Sequence, residues 1–204
     1  MARHGSLVRR ALAAGLAVAC LAASACSSSG DAPSASPNEL LIAINAPFSV
    51  SPYVGQTIEQ GVQLAVDEIA AAGGVAIPNG TITFRTERYD NGLSASKAAD
   101  NVRRAIADGA VAIVDEGTGL DATWQAANEA GVPIGIVYQG GMGLVDPETR
   151  PNVFRIAPTD HGVAFRLAEY LIPKGLSVAL LADDTDYGVQ GTKAFDVAFV
   201  PWTP

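Results

Sequence analysis

Cysteine and histidine are nearly absent from this chain: two of each in 204 residues, with Cys20 and His4 inside the first 25. After Cys26 no cysteine remains, so no disulfide staples the folded part and an apolar core has to hold it. With His161 as the one remaining histidine and no free thiol, the usual nucleophilic triads and dyads cannot be assembled. No Gly-x-Gly-x-x-Gly follows the first apolar run, and neither a phosphate loop ending in Gly-Lys-Ser/Thr nor a Gly-x-Ser-x-Gly elbow occurs. Basic residues are in deficit, 13 against 21 acidic, for a net charge of −8. Such a surface repels phosphates and excludes nucleic acid as a partner. No apolar run reaches the roughly 20 residues that a membrane-spanning helix requires.

What is present begins with a leader. Arg3, Arg9 and Arg10 precede a short apolar run from Ala11 to Ala23, and Ser24 and Ala25 lead into Cys26. A basic start, a short apolar middle and a small-residue cleavage site make a secretory signal over residues 1–25. A cysteine directly after the small pair resembles a bacterial lipobox, in which that cysteine is acylated and becomes the new N-terminus. An ordinary cleaved signal with an incidental cysteine is the plainer alternative. Removing residues 1–25 takes away three arginines and no acid, so the net charge falls further. Residues 26–38 are small, polar and proline-containing and read as a flexible tether.

From Glu39 onward strand and helix signals alternate. Residues 40–45 (LLIAIN) are a nearly continuous apolar run, as in a strand covered on both faces. Ile58, Val62, Ala65, Val66 and Ile69 recur at helical spacing, and Gly73-Gly74 stops them. After the Asn79-Gly80 turn, Ile82, Phe84 and Thr86 alternate with polar residues as in a strand. Ser94 caps a second helix with Ala98, Val102, Ala105 and Ile106 inward. AVAIV at 110–114, a helix near 121–130, VPIGIV at 132–137 and VFRI at 153–156 continue the pattern. Thr159 or Asp160 starts a helix whose inward residues are expected to be Val163, Leu167, Tyr170 and Leu171. SVALLA at 177–182 is expected to be a further strand, and a last helix begins near Tyr187. This alternation predicts an α/β fold, a parallel sheet flanked by helices.

In such a sheet, ligands bind beyond the carboxyl ends of the strands. The loops there carry Ser49, Ser51 and Tyr53; Gly117, Thr118 and Gly119; Tyr138 and Gln139 beside glycines; and Tyr187. Backbone amides at Gly117–Gly119, with the Thr118 hydroxyl, are expected to be free to hold a carboxylate. Asp183, Asp184 and Asp186 lack the spacing and central glycine of a calcium loop and read as a solvated turn, so no metal or other cofactor is implied.

Taken together, GVQLAVDEIAAAGGV at 61–75, Tyr89-Asp90, AIVDEGTG, PNVFRIAPTD at 151–160 and VALLADDTDYG at 178–188 carry a resemblance. Residues 40–196 resemble the solute-binding proteins of branched-chain and related amino-acid ABC importers, which have the type I periplasmic-binding fold. The resemblance implies two α/β lobes closing on a solute, binding without catalysis, and a membrane permease as partner. It matches Gly117 and Thr118 to the loop that holds an amino acid's charged groups, and Tyr138 and Gln139 to a second loop. It matches Tyr187 to a contact from the second lobe, and an aromatic contact from the first loop to the neighbourhood of Tyr53 or Val54. Tyr138 stands where the family has a small residue, which implies a narrower pocket or a different solute. Residues 39–160 correspond to the first lobe and 161–204 to an incomplete start of the second. Family members are longer, so truncation and weak solute binding are expected. A membrane-tethered sensor or interaction module of the same fold is the alternative; an exported hydrolase using a carboxylate pair has no motif behind it.

Overall fold

The apolar run at 40–45 becomes the centre of the sheet. In the computed structural model, which describes residues 38–199, β1 (Glu39–Ala46) is flanked on both sides by parallel partners. The leader, Cys26 and the tether lie outside the described residues, as do Trp202 and its neighbours. The remaining elements follow in order: α1 (Pro52–Ala71), β2 (Val75–Ile77), β3 (Gly80–Asp90), α2 (Ala95–Ala107) and β4 (Ala110–Asp115). Then come α3 (Leu120–Ala130), β5 (Ile134–Ile136), β6 (Val153–Arg155), α4 (Asp160–Leu171), a 3-10 turn at Ile172–Lys174 and α5 (Asp186–Phe199). The six strands order as β2-β3-β1-β4-β5-β6, parallel except for β2. The reversal of direction at β1 puts the switch point of the sheet between β1 and β4.

Local chemistry explains the boundaries. Pro52 opens α1, where a missing N–H costs nothing. At Gly74, φ is +84° and an added Cβ would lie 2.6 Å from the Ile82 carbonyl oxygen, so glycine is required where α1 gives way to β2. Ser94 caps α2 by accepting from the Lys97 amide, and the Thr159 hydroxyl accepts from the Gly162 amide at 2.9 Å to cap α4.

The main core lies on the α2–α3 face of the sheet. Leu41, Ala43, Ile113, Ile134, Ile136 and Val153 from the strands meet Val102, Ala105, Leu120 and Ala127 from the helices, all buried. Each large side chain there contributes about 1.5–3 kcal/mol over an exposed one. The opposite face is covered by α1 over β1 and β3. Beside it Val114, Val137 and Ile156 line an apolar groove with Ile58, Val62 and Phe84, about 600 Å³ in volume. Ile156 is 81% exposed there.

Two expectations change. Residues 177–182 form no strand: nothing among the described residues pairs with them, and Leu181 is 98% exposed. An apolar run without a ladder partner keeps its backbone groups for solvent and stays irregular. In α4 the buried residues are Ala164 and Ala168, packed against Ala194 and Ala198 of α5, while Val163, Leu167 and Tyr170 are exposed. Alanines let the two helices approach closely, and the larger residues turn toward the unpaired 180–182 segment. In addition, β2 pairs antiparallel with the start of β3, a hairpin that the exposed VAI triplet before Pro78 does not announce.

Candidate ligand cleft

The carboxyl ends of β1 and β4 are held together by a buried polar network. Asn45 and Asp115 are register partners, and Asn45 Nδ2 donates to Asp115 Oδ2 at 2.7 Å. Asn101 Nδ2, from α2, donates to Asn45 Oδ1 at 3.0 Å, and Asn91 Nδ2 donates to Glu116 Oε1 at 3.1 Å. All five side chains are at most 9% exposed. Burial pushes the Asp115 carboxyl up to about 7; the Asn45 and Gly117 hydrogen bonds oppose this, and the charge of Glu116 adds to it.

This network sets the loop after β4. The Gly117 amide donates to Asp115 Oδ1 at 2.6 Å and the Thr118 amide to Glu116 Oε1 at 2.8 Å. The expectation of free amides therefore fails for these two: the chain's own carboxylates already occupy them. Gly117 has φ +119°, and a Cβ there would lie 2.6 Å from Gln139 Cβ, so the turn packs directly on the loop after β5. Gln139 is anchored in turn: its amide donates to the Glu116 carbonyl at 2.9 Å and Nε2 to Thr118 Oγ1 at 3.3 Å.

Above these loops lies a cleft of about 390 Å³ lined by Ser51, Glu116, Thr118, Tyr138, Gln139, Asp183, Thr185 and Tyr187 among others. The Tyr138 and Tyr187 rings face each other across 6.2 Å with a 36° tilt. Burial raises the Tyr187 hydroxyl above its ordinary value, with Asp160, Tyr138 and Asp183 adding to the effect. Thr185 Oγ1 donates to Asp183 Oδ1 at 2.6 Å and accepts from the Gly188 amide, which fixes the start of α5 and with it Tyr187. Thr118, Tyr138, Gln139 and Tyr187 are thus brought together. Gly117 lies beneath them as the turn. Tyr53 stands apart: it is 81% exposed and borders the apolar groove beside α1. Glu116 joins the site unannounced, its one signal being an ionisable pair directly after a buried strand.

With the fold and cleft established, comparison places them. Residues 41–199 match the family described as periplasmic binding protein, and the chain belongs to this family, one of non-catalytic solute-binding proteins. Among solved structures, an ABC transporter substrate-binding protein from Desulfitobacterium hafniense in complex with Leu is similar at 24% identity and TM-score 0.63, over 80% of this chain and 48% of that one. A leucine-binding protein from Thermotoga maritima is similar at 22% identity and TM-score 0.65, over 79% and 46%. A solute-binding protein of an ABC transporter from Rhodopseudomonas palustris, in complex with 3,4-dihydroxybenzoic acid, is similar at 17% identity and TM-score 0.67, over 80% and 44%. The chain spans about half the length of these structures. No curated protein matches the sequence.

Proposed function

We propose that this chain is the extracytoplasmic solute-binding component of an ABC importer, taking an amino acid or similar small polar solute at the cleft and presenting it to a membrane permease. The observation that carries the reading is the convergence of Thr118, Tyr138 and Gln139, from two loops, and Tyr187, from the first turn of α5, around one cleft at the switch point of the sheet. Family membership supports the binding role, and the solutes named for the similar structures, leucine and a hydroxylated benzoate, are both small and polar. Lipidation at Cys26, after removal of residues 1–25, would tether the domain at the outer face of the membrane. Calorimetric titration of the 204-residue chain with a panel of amino acids, amides and amines tests solute binding. At least one should bind; no binding up to about 10 mM across the panel overturns the reading.

A further inference from the structure

Between β3 and α2 the chain turns through two consecutive left-handed residues, Gly92 at φ +53° and Leu93 at φ +56°. The Ser94 amide donates to the Asn91 carbonyl at 2.9 Å and closes the turn as in type I′. Glycine, asparagine and aspartate dominate such turns, because a Cβ crowds the following carbonyl in this conformation. Among the described residues Leu93 is the only non-glycine with positive φ. Polar neighbours hold it there. Asn91, fully buried, accepts from the Leu93 amide at 3.0 Å through Oδ1 and donates to Glu116 at 3.1 Å through Nδ2. Asp90 Oδ1 accepts from the Gly92 amide at 3.3 Å and from the Ser49 amide at 3.0 Å, which ties the turn to the loop after β1.

Core packing does not offset this strain, since Leu93 is 50% exposed. Leu93 instead borders the cleft, together with Pro47 and Val54. These three supply its aliphatic lining; every other described lining residue carries a hydroxyl, amide or carboxyl group. A leucine kept half in water in an unfavourable backbone conformation, at the edge of a cleft, finds its compensation when the cleft is filled. Resting on the reading that this cleft binds solute, we propose that Leu93 is a specificity-determining residue. The strained turn sets it at the aliphatic end of the cleft, with Pro47 and Val54, where it covers the apolar part of the solute.

The test titrates the 204-residue chain with leucine and alanine, which share their charged groups and differ in apolar bulk. Leucine should bind the native chain more tightly than alanine. Leu93→Gly and Leu93→Asn each put a residue that tolerates the left-handed conformation into the turn. Both variants should raise the urea midpoint, weaken leucine at least about fivefold and change alanine by less than about twofold. A gain in stability joined to a loss of selectivity is an outcome that a purely structural leucine would not give. Leucine affinity unchanged in both variants overturns the proposal, as does a urea midpoint lowered in both. Leucine binding the native chain no more tightly than alanine also overturns it, and leaves solute binding standing. If neither binds up to about 10 mM, the role of Leu93 falls, and the panel of amino acids, amides and amines decides solute binding separately.

Discussion

Asn45 and Asp115, 70 residues apart in sequence and register partners on neighbouring strands, share a buried 2.7 Å hydrogen bond at the carboxyl ends of β1 and β4. Asp115 has both carboxylate oxygens engaged, one by Asn45 and one by the Gly117 amide, and it joins the sheet to the loop that carries Thr118.

Stability should fall as pH rises through this group. Burial holds the Asp115 carboxyl at about 7, above an unfolded value near 3.9. The folded chain then binds the proton more tightly than the unfolded chain. Stabilisation is fully present below about pH 4 and is lost as pH rises toward 7. Burial shifts Asp160 in the same direction, with Arg155 opposing. Urea denaturation should give a lower midpoint at about pH 7.5 than at about pH 4.5, and Asp115→Asn should flatten that dependence. A midpoint that rises over the same interval contradicts the account.

Gly117 is the turn on which the cleft is built. Alanine there would meet Gln139 at a φ of +119°, and should cost about 2–4 kcal/mol. Gly61, exposed on α1 with nothing within 4 Å, is the control: Gly61→Ala should raise stability by about 0.5–1 kcal/mol. Denaturant midpoints of the two variants check both signs.

The α4–α5 pair holds Tyr187 in place through alanines. Ala194 is fully buried against Ala164 and Ala168, so Ala194→Leu should overpack the contact and cost about 1–3 kcal/mol. Loss of the Tyr138–Tyr187 approach should follow, read as a change in tyrosine fluorescence.

The proposed lipid anchor is tested in cells. Cys26→Ser should move the protein from the membrane pellet to the soluble fraction. An unchanged distribution would show that another feature holds it.

The sheet and its helices were legible because their signals are local. The continuous apolar run of β1, the stripe of Ala98, Val102 and Ala105, and the caps at Ser94 and Thr159 each follow from neighbouring residues. SVALLA at 177–182 has the same local signal but lacks a ladder partner among the described residues, and pairing is not a local property. On α4, side-chain size points inward at Val163 and Leu167, whereas close helix approach selects the alanines. At the site, Thr118, Tyr138 and Gln139 are marked by position after strands, which the parallel topology makes informative; Tyr187 follows the 177–182 run, which forms no strand. Glu116 and the Asn45–Asp115–Asn101 chain are not so marked, because their meeting depends on strand register.

The most direct test of solute binding at this cleft is amide chemical-shift mapping of the 204-residue chain during titration with whichever panel member binds. The account predicts shifts concentrated at Thr118, Tyr138, Gln139 and Tyr187, abolished together by Thr118→Ala with Tyr187→Ala. Shifts confined to the apolar groove at Ile58, Val62, Phe84 and Ile156, with the cleft residues unmoved, would contradict it.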